Sequence, residues 1–145
     1  MKPQSMALLA ALAASMAWGI GGYFEKKGLH DGNLPPQVGA MLRTVVALVV
    51  LGAMSFTQWK TIAHAGARPL LYMIIGGGVI GGAVGMLCFY AALKGAPLQK
   101  VMPIAFTSPL FGAVMGVTLG GETPTLRTAL GMLLTMGGIV VLTVG

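Results

Sequence analysis

Residues of types that could carry chemistry gather on one face of the first apolar stretch. Ser15, Trp18, Gly22 and Glu25 follow one another at intervals of three and four residues, which places them on the same side of a helix. Trp18 lies too deep for the interfacial aromatic belt, so we expect it to face protein or a cavity. For Glu25 and Lys26 at the end of the stretch, we favour extension to the headgroups over a buried ionic site.

Arg43 lies inside the second apolar stretch, about 10 Å from its start at 1.5 Å per residue. An ionised side chain at that depth usually faces the interior of a helix bundle or a watery path, although partial extension to the headgroups is the alternative. Its candidate partners are Glu25, Tyr90 or an anionic group on a ligand. A basic lining of this kind would tolerate anionic groups.

The remaining reactive residue types do not combine into a catalytic site. No Ser/His/Asp or Cys/His set is evident, the two histidines stand in different polar breaks, and the one cysteine, Cys88, lies in an apolar run. We therefore expect no enzyme activity, no metal and no cofactor. Glu122 precedes Thr123-Pro124, a pattern that indicates a helix start, and a carboxylate there complements the helix dipole.

The composition of the chain indicates which kind of secondary structure positions these residues. Hydrophobic residues make up 56% of the chain and charged residues 8%, against about 25% charged in a soluble domain, and mean hydropathy is +0.86. The chain is predicted to be an all-α integral membrane protein, in contact with the lipid bilayer. The net charge of +6 is spread through the breaks rather than gathered in a patch, so no nucleic-acid partner is expected.

Five stretches reach the length of about 20 apolar residues that a membrane span needs. They form one predicted domain over residues 1–145, with helices at about 6–26, 36–56, 69–93, 101–120 and 125–144. The first is too long for the apolar core of a signal peptide, so we interpret it as a retained helix.

Small residues recur on three of these helices, and they allow close helix packing in lipid. The stripes are Gly77, Gly81 and Gly85 on the third helix; Ser108, Gly112, Gly116 and Gly120 on the fourth; and Thr128, Gly131, Thr135, Gly138 and Leu142 on the fifth. The fifth stripe could pack within the subunit or against a second copy. Periodicity alone leaves both possibilities open.

The hairpin formed by residues 87–121 is the predicted wall of a cavity. It contains Pro103 and Pro109 inside an apolar run, and each proline removes a backbone donor. Such breaks persist in a bilayer where protein or water satisfies the freed carbonyls.

The distribution of basic residues gives little instruction about orientation. Four lie on the side of the N-terminus (Lys2, Lys60, Arg68 and Arg127), and four lie on the other side (Lys26, Lys27, Lys94 and Lys100), with Arg43 as a fifth if it extends that way. Orientation normally follows an excess of such residues on the cytoplasmic side. Insertion in both orientations, which would give an antiparallel homodimer, and a single fixed orientation are both open.

Several residues together resemble the EamA-type drug/metabolite transporter superfamily, in particular its five-helix, single-repeat bacterial and archaeal members. In chain order they are Trp18-Gly19 with Lys26, Arg43, the run FYAALKG at 89–95, Pro103, Pro109, Gly121-Glu122, Gly131 and GGI at 137–139. The match covers nearly the whole chain. One departure is Thr107-Ser108, where the family often has polar or acidic residues before the second proline.

The resemblance implies a multi-pass carrier of small solutes in the inner (plasma) membrane, usually an exporter, with a cavity lined by the first, third and fourth helices. It also implies a partner chain, either a second copy or a homologue, because larger members contain this unit twice in inverted orientation. We predict a small secondary transporter acting as a dimer, with Trp18, Arg43, Tyr90, Thr107 and Pro109 lining or gating the cavity.

Two other functions remain open at this stage. Small multidrug-resistance exporters carry an acidic residue at membrane depth in the first helix, whereas Glu25 stands near its end. A non-transporting subunit of a lipid-linked sugar flippase is the second alternative. Solute flux with this chain alone would favour a carrier.

Overall fold

The computed structural model describes residues 3–121, 123 and 125–144. Glu122, predicted to start the last helix, lies outside the described residues. Among those described, five helical segments are long and apolar enough to cross a membrane: Ser5–Asp31, Pro36–Gln58, Ala67–Gly95, Leu98–Thr118 and Leu126–Val144. The all-α class and the number of spans are therefore as predicted.

The first helix, α1 (Pro3–Asp31), continues beyond the predicted end at Lys26. Its end has the hydrogen bonds of a Schellman cap: Leu34 N–H donates to the carbonyl of Leu29, and Asn33 N–H to that of His30. Asn33 takes the left-handed conformation that this cap requires, with φ 44°. Leu29 is 2% exposed, and its burial holds the last turn in the helix.

The second span begins immediately after this cap. In α2 (Pro36–Ser55), Pro35 is the N-cap and Pro36 the first helical residue, a position where the missing N–H costs nothing. A 3₁₀ turn (Phe56–Gln58) and a short helix, α3 (Lys60–His64), follow it.

The third span winds differently from the α-helix that the sequence predicts. It starts as α4 (Ala67–Leu71), continues with π-type hydrogen bonds over Tyr72–Gly85, and ends as α5 (Met86–Gly95). Regions of π-helix are usually single-turn bulges. The glycines that were predicted to form a four-residue stripe are part of this region, and glycine tolerates unusual backbone conformations.

The fourth span is interrupted where its prolines stand. Helix α6 (Leu98–Ala105) contains Pro103, and α7 (Ser108–Thr118) has Pro109 in its first turn. Between them, Phe106 N–H donates to the carbonyl of Met102 and Thr107 N–H to that of Ile104. Pro109 cannot donate to the carbonyl of Ala105, four residues earlier. Helix α8 (Leu126–Val144) forms the fifth span.

The chain divides into two compact units, one within Met1–Gly22 and Ala96–Gly145 and the other Tyr23–Gly95. The first contains the start of α1 with the fourth and fifth spans, and the second contains the end of α1 with the second and third spans. The prediction of a single domain stays a prediction. Most large apolar side chains in the described chain are exposed, as expected of a protein covered by lipid.

Candidate functional site

Within the unit Tyr23–Gly95, three of the predicted residues form a charged cluster, which consists of Glu25, Arg43 and Tyr90. Arg43 Nε lies 2.8 Å from Glu25 Oε1, and the two side chains are 39% and 18% exposed. Tyr90, which is 2% exposed, lies beside both charged groups. The structure thus selects Glu25 among the partners considered for Arg43.

This pair corrects the interpretation of Glu25 as a side chain that extends to the headgroups. A carboxylate within reach of a guanidinium is paired without leaving the protein. Arg43 Nη1 also contacts Sδ of Met86, a neighbour that the sequence pattern did not suggest. The predicted anion tolerance is weakened too, because an anionic solute has to compete with Glu25 for Arg43.

Two lysines join the ends of α1 and α5 by reciprocal hydrogen bonds. Lys26 Nζ donates to the carbonyl of Leu93 at 2.8 Å, and Lys94 Nζ donates to the carbonyl of Leu29 at 3.0 Å and to Asn33 Oδ1 at 3.3 Å. Cations at helix C-termini bind carbonyls that have no partner within the helix. Lys26 thus contacts the protein at the end of its helix, and the expectation that it reaches the headgroups stays a prediction.

A tight contact packs α2 against its neighbours beside the charged cluster. A Cβ on Gly39 would lie 2.7 Å from Leu29 Cδ2 and 2.7 Å from both Cδ1 and Cε1 of Tyr90. Any side chain at position 39 would displace Leu29 or Tyr90, so glycine permits their close approach to α2. Sequence reasoning did not single out Gly39, because it belongs to none of the small-residue stripes.

In the other unit, Thr107 and Pro109 line a cavity of about 250 Å³ between the fourth and fifth spans, which we call the threonine groove. Its other lining residues are Phe106, Leu110, Thr128, Gly131, Met132, Thr135, Met136 and Ile139. A larger cavity of about 390 Å³, also lined by Leu110, Thr128 and Met132, lies next to it. The first three residues of the fifth-helix stripe therefore face the fourth span within the subunit.

Two hydroxyl groups of the threonine groove already donate hydrogen bonds to backbone carbonyls. Thr107 Oγ1 donates to the carbonyl of Ile104 at 2.7 Å, and Thr135 Oγ1 donates to that of Gly131 at 2.9 Å. Thr128 Oγ1 shares a hydrogen bond of 2.8 Å with Thr125 Oγ1. A hydroxyl group whose hydrogen is already used in a hydrogen bond can still accept one through its oxygen lone pairs. The groove therefore combines apolar walls with hydrogen-bond acceptors.

Trp18 is connected to the threonine groove through Phe106. The rings of Trp18 and Phe106 stack with centroids 6.3 Å apart and an interplanar angle of 29°, while Trp18 keeps 57% of its surface exposed. Gly22, one turn further along α1, is buried against Met102, whose Sδ would lie 3.1 Å from an added Cβ. Phe106 was missed by the sequence analysis, although it stands directly before the predicted Thr107.

Metal ligation finds no support in the described parts of the chain. Within residues 3–121, 123 and 125–144, no three His, Cys, Asp or Glu side chains come together in a group that could hold a metal ion. The side chains of the described sites take part in ion pairing, aromatic stacking and hydrogen bonds.

Comparison with known proteins adds a family to this geometry. A model described as the EamA-like transporter family matches residues 5–144. A protein of Sinorhizobium sp. named as an uncharacterized transporter in the cobO 3′ region is 29% identical over 143 residues, which cover 97% of this chain and 98% of the relative. An uncharacterized protein of Methanocaldococcus jannaschii is 24% identical over 143 residues, 95% and 96% of the two chains. No solved structure shows significant similarity to the chain.

Proposed function

This chain belongs to the EamA-like transporter family of membrane proteins, and from that premise we propose that it is a secondary carrier that exports a small metabolite across the inner membrane. The observation that carries the proposal is the interrupted fourth span beside the threonine groove. Discontinuous helices with unpaired backbone groups form the solute sites of many secondary transporters. Phe106, Thr107 and Pro109 stand at the interruption and line the groove.

We assign the five predicted residues to two roles in this carrier. Thr107 and Pro109 contact the solute in the threonine groove, and Trp18 supports that wall through its stack on Phe106. Arg43 and Tyr90, with Glu25, hold the unit Tyr23–Gly95 together. Rearrangement of the ion pair during transport would connect the second role to the gating that the sequence analysis expected.

Filling the threonine groove is expected to stop transport without unfolding the protein. Gly131 lines the groove, and an added Cβ there meets no atom within 4 Å, so Gly131→Leu places its side chain in the free volume. We expect uptake into proteoliposomes to fall about tenfold or more, equivalent to about 1.4 kcal/mol of lost binding. The solute is the metabolite that most raises Tm in a thermal-shift screen, since a ligand stabilises the state it binds.

The matched control is Gly137→Leu on the same helix. An added Cβ at Gly137 also meets no atom within 4 Å, but Gly137 is absent from the lining of the groove. Its flux should stay near that of the unchanged protein. Equal losses in the two variants would argue against the groove as the solute site. No flux from the folded, unchanged chain would instead favour the non-transporting subunit.

We further propose that the carrier is a dimer of two copies inserted in opposite orientations. Five spans place the termini on opposite sides, and the basic residues are divided almost equally between the two sides, which leaves the orientation nearly undetermined. Two such copies would supply the inverted repeats found in many transporters.

Fusion of reporters to the C-terminus tests the dual orientation. We expect signal both from a reporter that is active only in the cytoplasm and from one that is active only outside. Replacing Lys60 and Arg68 by glutamine should shift the balance toward one reporter, because it removes two of the four basic residues on one side. Signal from a single reporter in the unchanged protein would establish a fixed orientation and end this part of the proposal.

A further inference from the structure

Residues 56–68, which we call the connector, comprise the end of the second span, the link to the third span and the first two residues of the third span. They combine cationic and aromatic side chains at a membrane boundary. Lys60 and Arg68 give the connector two positive charges, His64 adds a group that can become a third, and the segment contains no Asp or Glu. All three basic side chains are exposed. Neighbouring acidic residues therefore do not neutralise this charge from within the segment.

The backbone of the connector stays locally helical from the end of α2 to Ala65 and breaks at Gly66. The 3₁₀ turn Phe56–Gln58 ends α2, and α3 (Lys60–His64) follows it directly. Gly66, with φ 78°, then separates α3 from the third span, and a positive φ of this size is readily accessible only to glycine. The connector is thus a short structured segment rather than an extended loop.

Its large apolar side chains are ordered but uncovered. Phe56 and Trp59 form an edge-to-face pair with centroids 5.8 Å apart, and Trp59 Nε1 donates to Ser55 Oγ at 3.0 Å. Phe56, Trp59 and Ile62 are 70%, 52% and 54% exposed. Tryptophan prefers the headgroup level of the bilayer, and an apolar surface combined with basic residues is typical of segments that lie in the membrane interface.

We propose that the connector lies in the plane of the interface and binds the headgroups of anionic phospholipids through Lys60 and Arg68. Its positive charge complements phosphate-bearing lipids, and each Lys or Arg near a membrane surface contributes about fivefold to the attraction. The aromatic pair enters the boundary between headgroups and acyl chains beside these charges. This inference goes beyond transport and does not depend on the proposed solute site.

Fluorescence of Trp59 provides a direct test. The chain has two tryptophans, so Trp18→Phe leaves Trp59 as the only one. We reconstitute this variant in vesicles of phosphatidylcholine with a minor fraction of phosphatidylglycerol, and place bromine, a quencher, on the upper acyl carbons of one lipid or the other. Brominated phosphatidylglycerol is expected to quench at least twofold more per molecule than brominated phosphatidylcholine.

Variants and salt separate the charge effect from depth alone. The double variant Lys60→Gln, Arg68→Gln should bring the ratio of quenching by the two brominated lipids close to one. The control Lys27→Gln should leave this ratio unchanged, because Lys27 is exposed near the opposite end of the membrane spans. Salt at 1 M should reduce the preference, since the Debye length falls to about 3 Å. Equal quenching by the two lipids in the parent variant overturns the proposal. So does weak quenching by both, which would indicate that the connector is covered by protein.

Discussion

Gly39→Leu is expected to destroy the packing of the unit Tyr23–Gly95, with loss of most folded protein from the membrane fraction. Even the Cβ of alanine would lie 2.7 Å from atoms of Leu29 and Tyr90, a separation that real Cβ atoms do not adopt. Overpacking of this kind typically costs about 1–3 kcal/mol, and we expect Gly39→Ala to fall in that range. Leucine adds three further carbon atoms to the same contact, so its cost should be larger.

The displacement of Tyr90 makes this substitution more damaging than its volume alone suggests. The ring of Tyr90 contacts Gly39, and its side chain lies beside Glu25 and Arg43. Leu29, the other side chain in the contact, belongs to the cap of α1, and its backbone carbonyl accepts a hydrogen bond from the ammonium group of Lys94. A change at Gly39 therefore disturbs the ion pair and the end of α1 together.

Gly28 is the matched control, because it lies in the same unit and an added Cβ there meets no atom within 4 Å. Gly28→Ala should leave Tm unchanged or raise it, since alanine is favoured over glycine in a helix by about 1 kcal/mol. Thermal unfolding in detergent compares Gly39→Ala with Gly28→Ala. The yield of folded protein in the membrane fraction compares leucine at position 39 with leucine at position 28. A Gly39→Ala variant as stable as Gly28→Ala would show that the contact relaxes easily.

The sequence was sufficient to predict class and span number because both depend on composition and length. A chain with 8% charged residues cannot cover a soluble surface, and each apolar stretch has the length that a bilayer requires. The end of α1 was predicted five residues too early, at Lys26 instead of Asp31. Its charges indicated a break, but Asn33 provides a local cap further along the chain, and the tertiary contacts that bury Leu29 keep the last turn helical.

Pairings between helices were harder to predict than the helices themselves. Arg43 could be assigned only a set of partners, since its reach depends on the rotation of α1 and α2 about their axes. The fifth-helix stripe was equally ambiguous until the lining of the threonine groove placed Thr128, Gly131 and Thr135 toward the fourth span. Gly39 carried no periodic signal at all. A single close contact requires glycine at one position, and this leaves no pattern in the sequence.

Glu25→Gln and Arg43→Gln are each expected to destabilise the protein, and the double variant is expected to recover much of the loss. Either single change leaves the remaining charge without its counterion in a span, next to the buried Tyr90. We expect each to cost about 1–3 kcal/mol, between the values for exposed and fully buried pairs, because the Arg43 side chain keeps 39% of its surface exposed. Removing both charges leaves neither one unpaired.

A double-mutant cycle on unfolding free energies measures this coupling, for which we expect about 1–2 kcal/mol. Lys27 and Asp31 serve as the control pair, since they are exposed and four residues apart on the same helix, and their coupling should not exceed about 0.5 kcal/mol. Similar coupling in the two cycles would mean that the charged cluster contributes no more than a surface pair. Transport assays on the same variants separate the two roles of Arg43. If Arg43 only packs the unit, the double variant retains flux; if it binds an anionic group on the solute, flux is lost although stability returns.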